Sequence, residues 1–279
     1  MRKVELCNGI ISSKLGFGCA SILGAIDSST ARRAVHGALA HEINYFDLAR
    51  SYGYGEAESF LGNILKDRRK DVVIASKFGI KANWKAKLLK PIKPVVRLLK
   101  SKTADKKIVA DKGAPVSTIA DRFHNRVEIT AKEMVDSLEQ SLRNLKTDYL
   151  DYFFVHEPVC AIYDIDEVLR AAEALKQSGK IRAFGLAFNL LDKQIHERYL
   201  HHFDLLQFNK PLDDTAYQST LSERQNKPNV LFSILRGLKN DEITQDVFGR
   251  LMEDFPQSVL LCSMFNEKHI EQNATFFNI

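Results

Sequence analysis

The chain has no run of eighteen apolar residues, so no membrane-spanning helix is expected. Its opening, MRKVELCNGIISSKLGFG, starts with the basic pair Arg2 and Lys3 but has no continuous apolar stretch behind it, so no secretory leader is expected. Cysteine is scarce: Cys7, Cys19, Cys160 and Cys262 lie scattered, without paired spacing. That pattern argues against a disulfide framework and points to reduced, mostly buried thiols in a cytoplasmic protein. Nor does any G-x-G-x-x-G open a helix after a strand, so a Rossmann-type phosphate turn is not expected.

What is present fits an ordinary globular chain. Its 279 residues are 45% apolar and 27% charged, enough to bury a sizeable core. The net charge of +5 is unevenly spread. Residues 81–112 hold eleven Lys/Arg against Asp105 and Asp111, a local +9, which leaves the remainder at −4. The composition is that of a mildly acidic protein carrying a basic insert.

Short β-rich runs alternate with helix-period segments. Strands are expected at 14–18, 44–47, 72–77, 149–156, 183–187, 204–208, 230–233 and 258–262. Helices are expected at 30–41, 56–66, 130–146, 164–178, 192–201, 213–225, 241–253 and 266–273. Ser28 and Ser29 are candidate caps for the first helix, Thr130 and Glu133 spell a capping box, and Gly179 has the type of a C-terminal cap. Eight strands alternating with eight helices predict a (β/α)8 barrel, a TIM-barrel fold, formed by residues 1–279 as a single domain. Residues 80–129 are too long for an ordinary strand-to-helix connection and are read as a basic insert, or lid, on the catalytic face after strand three.

In such a barrel the C-terminal strand ends carry the site. Four polar residues sit at or just past them: Asp47, Tyr52, Lys77 and His156. Taken singly, each has a bland reading as turn residue, packed ring, strand exit or structural histidine. Together they suit carbonyl reduction. A phenol beside an ammonium is drawn down towards neutrality as a proton donor, a carboxylate holds the lysine, and an imidazole steers the substrate oxygen. No side chain supplies a hydride, so a cofactor is implied.

The stretch FDLARSYGYGEAESFLG, then IASK, then DYFFVHEP resembles the ordered tetrad motifs of the aldo-keto reductase family, and the likeness runs from LGFG at 15 to HIEQN ending at 273. The resemblance implies a NADP(H)- or NAD(H)-dependent reduction of an aldehyde or ketone, or oxidation of a sugar or alcohol. Tyr52 would be the general acid/base, Lys77 its partner, Asp47 the anchor of Lys77, and His156 the orienting residue. It also implies a dinucleotide lying across the barrel mouth. Gly18 and Cys19 would be at the nicotinamide end, Asn189 and Gln207 at the carboxamide, and Ser233, Leu235 and Arg236 at the pyrophosphate. Ser263, Gln272 and Asn273 would lie at the adenosine, with a helix start near Ser263 favouring phosphate.

The chain departs from the family pattern in three places. The stretch after strand five reads GLAFN, so that Ala187 and Phe188 stand where a hydrogen-bonding pair is usual. Ser263 and His269 stand where many members place a lysine and an arginine on the 2′-phosphate. Each lost charge-assisted bond is worth roughly 1.5–3 kcal/mol, so weak preference for NADPH over NADH is expected. The C-terminal substrate loop of many members is not expected here, so substrate selection is expected to fall on the insert.

Within that insert WKAKLLKPIKPVVRLLK interleaves apolar residues with lysines. It reads as a solvated loop, as a lid recruiting an anionic substrate, or as a membrane-surface contact through 84–100. Pro91 and Pro94 argue against one continuous helix, and too few aromatics are present for nucleic-acid stacking. His196, His201 and His202 are read as surface helix residues rather than metal ligands. The rival to catalysis is a cofactor-binding or scaffolding barrel that acts through a partner.

Overall fold

A computed structural model describes residues 1–83, 123–211, 213–236 and 244–278. The expected lid and membrane-contact stretch, 84–100, lies outside the described residues, as does most of the basic insert. Eight parallel strands close into a barrel in the order β3 Leu15–Gly18, β4 Tyr45–Asp47, β5 Val73–Phe78, β8 Leu150–His156, β9 Ile181–Phe188, β10 Leu205–Asn209, β11 Asn229–Phe232 and β12 Ser258–Cys262, which pairs back to β3. Strands covered on both faces have little need of polar residues, and β8 (LDYFFVH) is buried throughout.

Side-chain parity along these strands produces two cores. One set of residues points inward, where Tyr45, Ala75, Tyr152, Phe154, Val230 and Leu261 fill the barrel. The alternate set points outward against the helices, as in the stack of Phe78 on Phe153 at 4.9 Å. Burying each such ring contributes roughly 1.5–3 kcal/mol relative to exposure. The antiparallel hairpin of β1 Lys3–Glu5 and β2 Ile11–Ser13 closes the lower end, adding Val4, Leu6 and Ile10 to the inner cluster. Gly185 makes room inside the barrel, since a Cβ there would lie 2.4 Å from the Phe154 ring.

The helices follow the strands: α1 Ser28–Ala40, α2 Ala57–Leu65, α3 Ala131–Leu145, α4 Ile165–Gln177, α5 Lys193–His196, α6 Asp214–Arg224, α7 Thr244–Asp254 and α8 Glu267–Phe276. Helix α3 buries Met134, Leu138, Leu142 and Leu145, one stripe at helical spacing. Its Thr130 cap accepts from the Glu133 N–H at 3.1 Å. The reciprocal half of the expected capping box is absent, because the Glu133 carboxylate bonds Lys81 and Ser137 instead. The first helix is capped by Asp27 rather than by Ser28 or Ser29.

Two further differences bear on the site. The continuous helix expected at 192–201 is broken into a 3-10 turn, α5 and a second 3-10 turn. Within it His196 is fully buried, its ring bonded to Tyr199 Oη at 2.6 Å and the Pro158 carbonyl at 3.0 Å. It is not a surface residue, because it ties α5 to the loop after β8. The ends of the insert also pair, β6 Ile80–Ala82 with antiparallel β7 His124–Arg126, which fixes both feet of the insert beside the upper end of the barrel. Among the described residues no helix is long and apolar enough to cross a membrane.

Candidate active site

Inward parity brings the strand ends together. Asp47 stands two residues above Tyr45, Lys77 two above Ala75, His156 two above Phe154, and Gln207 two above Leu205. All four are buried, and they line one cavity of about 140 Å³ with Tyr52, Glu157, Ala187 and Phe232. Tyr52 reaches it from the loop after β4, where the chain turns sharply: Gly53 and Tyr54 both have φ near +60°. A Cβ on Gly53 would lie 2.6 Å from the Ile22 carbonyl, so only glycine permits this turn.

Lys77 organises the group. Its ammonium donates to Asp47 Oδ2 at 2.6 Å, to the Leu48 carbonyl at 2.8 Å and to Tyr52 Oη at 3.2 Å. Three partners account for its three N–H bonds. Tyr52 Oη accepts in this contact, which leaves its own proton free to face the cavity. Asp47 is held on its other oxygen by the Gln207 side-chain amide at 3.0 Å. The Tyr52 and His156 rings meet edge to face at 5.8 Å.

The electrostatics differ from the sequence expectation in one respect. Burial and the negative charge of Asp47 hold the Tyr52 phenol well above its ordinary value rather than near neutrality. Burial is the larger cause, and the Lys77 charge that would draw the phenol down is paired with Asp47. Burial and the charge of Lys77 push His156 well below the usual histidine range, so its imidazole is neutral. The site therefore holds a protonated phenol and an uncharged imidazole side by side.

The expected dinucleotide residues divide. Gly18, Gln207, Ser233 and Ser263 line the cavity. Gln207 Oε1 is buried and, among the described residues, has no hydrogen-bond partner, which makes it an open acceptor beside the cavity. At Gly18 a Cβ would come within 3.1 Å of Ser263 Oγ, so the missing side chain keeps that wall open. Cys19 does not line the cavity: as the neighbour of an inward residue it points outward and is fully buried, its thiol against the Phe17 carbonyl. Asn189 turns away to cap the 3-10 turn Leu190–Asp192, bonding the Leu191 N–H at 3.1 Å. Leu235 packs against the outer core, and Arg236 is exposed. Gln272 is exposed and Asn273 bonds Met264 Sδ, both on α8, which starts at Glu267 with Asn266 as cap rather than near Ser263. Five cavity residues, Ala20, Glu157, Phe232, Leu261 and Cys262, escaped the sequence reading. The parity of β11 could have found Phe232, whereas Glu157 owes its place to a turn that no strand pattern marks.

Among the described residues, no cluster of histidine, cysteine and carboxylate side chains could hold a metal ion. Residues 14–202 match the model of the aldo/keto reductase family. The chain is 27% identical over 249 residues to aldo-keto reductase YhdN of Bacillus subtilis, covering 87% of this chain and 60% of that protein. It is 26% identical over 204 residues to L-galactose dehydrogenase of Arabidopsis thaliana, covering 69% and 51%. The chain thus spans between about half and three fifths of these curated relatives. In fold it is similar to the holo form of aldo-keto reductase AKR11C1 from Bacillus halodurans, with a TM-score of 0.72 at 22% identity over 100% of this chain and 91% of that one. It is similar as well to an aldo-keto reductase from Klebsiella pneumoniae in complex with NADPH, with a TM-score of 0.65 at 18% identity, covering 100% and 90%.

Proposed function

The chain belongs to the aldo/keto reductase family, and from that premise we propose that it is an NAD(P)H-dependent oxidoreductase that interconverts a carbonyl group and an alcohol. A bound nicotinamide dinucleotide supplies or accepts the hydride. The remaining work falls to this chain. Tyr52 donates its proton to the carbonyl oxygen, and Lys77, already 3.2 Å from Tyr52 Oη, stabilises the phenolate that remains. Asp47 holds the ammonium at the height of the phenol. His156, neutral and buried, presents an N–H that orients the carbonyl oxygen towards Tyr52 without adding a charge.

The cavity fits the nicotinamide end of such a cofactor. Gln207 Oε1, unpartnered among the described residues, would accept from the amide N–H of the carboxamide, Phe232 would give the ring an apolar face, and Gly18 leaves the wall open. At the far end Ser263 and His269, both exposed, replace the paired cations expected to grip a 2′-phosphate, so NADH serves as well as NADPH. The substrate is a small carbonyl compound or sugar.

One observation carries this reading: all three N–H bonds of Lys77 are committed, so Tyr52 Oη, which accepts one of them, keeps its own proton for the cavity. The test is a titration of the protein with NADPH and with NADH, followed by a panel of aldehydes, ketones and sugars. Saturable binding and turnover of any panel member support the reading. Failure to bind either dinucleotide at millimolar concentration leaves a barrel that has lost its cofactor.

A further inference from the structure

Glu157 follows His156 directly and lines the same cavity as Asp47, Tyr52 and Lys77. Its backbone lies at φ 43°, in the left-handed region that a residue with a side chain seldom adopts. Pro158 comes next and narrows its conformations further. The turn is nevertheless fixed at both peptide groups. The Glu157 N–H donates to the Ala187 carbonyl at 2.7 Å, and the Arg126 guanidinium donates to the Glu157 carbonyl oxygen.

This unfavourable geometry gains the side chain no partner. Among the described residues, no hydrogen bond or ion pair engages the half-buried Glu157 carboxylate, whereas the Asp47 carboxylate beside it is bonded on both oxygens. Lys77 has no N–H left to offer it. Burial accordingly raises its affinity for a proton, against the opposing fields of Lys77 and Arg126. Strain that persists around an unsatisfied polar group is a mark of function rather than of packing.

We propose, resting on the oxidoreductase reading above, that Glu157 is a specificity-determining residue. It accepts a hydrogen bond from a hydroxyl on the carbon next to the reacting carbonyl and rejects substrates carrying a carboxylate or phosphate there. The substrate class is then a neutral hydroxyaldehyde or hydroxyketone, the chemistry of a sugar, rather than an anionic carbonyl compound. A donor from substrate satisfies the free carboxylate, while a second anion meets it in a poorly screened site.

Three two-carbon aldehydes separate the possibilities: glycolaldehyde carries the hydroxyl, acetaldehyde carries nothing, and glyoxylate carries the charge. The full chain should prefer glycolaldehyde to acetaldehyde by about tenfold or more in kcat/KM, chiefly through KM. In Glu157→Ala that preference should fall to about twofold, and glyoxylate should improve about tenfold relative to acetaldehyde. Glu157→Gln, which keeps an acceptor but not the charge, should improve glyoxylate while keeping part of the glycolaldehyde preference. Unchanged dinucleotide affinity in both variants shows that they fold. An unaltered glycolaldehyde-to-acetaldehyde ratio in Glu157→Ala, or equal losses on all three aldehydes, overturns the assignment while leaving the oxidoreductase reading intact. A full chain that binds neither dinucleotide and reduces none of the three overturns the reading itself, and this assignment with it.

Discussion

The floor of the barrel mouth and its rim are built differently. The floor, Asp47, Lys77, His156 and Gln207, sits on buried strand ends, and its groups are held by one another at 2.6–3.2 Å or by neighbouring rings. The rim, Ser233, Arg236, Ser263 and Gln272, sits on loops and on α8, and all four residues are exposed. Strand ends fix a side chain to within a fraction of an ångström through the register of their neighbours. Loop residues have no such constraint, so their chemistry can drift while the floor stays intact. The half of the site proposed to handle the proton is therefore closely bonded, and the half proposed to grip the dinucleotide is exposed.

The sharpest way to test this contrast is to break each half. Lys77→Met leaves the Asp47 carboxylate buried without its cation, and should cost about 3–5 kcal/mol in denaturant unfolding. Turnover should fall at least about 100-fold. Adding Asp47→Asn should restore much of the stability but none of the turnover. Arg236→Ala on the exposed rim should stay within about 0.5 kcal/mol of the parent. Equal costs for Lys77→Met and Arg236→Ala would erase the distinction between floor and rim.

A smaller effect comes from pH. Burial holds the imidazoles of His156 and His196 below their ordinary range, whereas in the unfolded chain each takes up a proton near pH 6.5. Below that pH the unfolded state binds more protons, so stability falls on acidification. The slope is at most about 1.4 kcal/mol per pH unit for each histidine, down to its folded-state pKa. Unfolding midpoints between pH 7 and 5 should show this fall, and His156→Asn should make it shallower. The smallest effect belongs to the rim. NADH and NADPH should bind within about tenfold, or 1.4 kcal/mol, of one another, as equilibrium titration will read. A large NADPH preference would show that the rim still holds a grip on the 2′-phosphate.

The same contrast explains what could be read from the amino-acid order. All eight barrel strands were legible because each is an apolar run with a turn at its end, and β12 matches its expected bounds, Ser258–Cys262. Asp47, Lys77, His156 and Gln207 were legible because they close such runs. Cys19 was misassigned because adjacency in sequence means opposite faces in a strand, and Gly18 already held the inward place. Asn189 lies one residue beyond β9, where it caps a turn instead of facing the cavity. The phenol of Tyr52 was expected to be tuned downwards by Lys77, with Asp47 balancing part of that charge. Burial and the charge of Asp47 raise it instead, and the depth of that burial shows only in the assembled site. Glu157 was hidden altogether, since a strained turn followed by proline has no periodic signature.

The most direct measurement compares the parent chain with Tyr52→Phe, recording NADPH affinity and carbonyl reduction on the same preparations. The proton-donor account predicts that the dinucleotide dissociation constant stays within about twofold while turnover drops by about 1,000-fold or more. Turnover retained in Tyr52→Phe, or lost only in step with dinucleotide affinity, would contradict it.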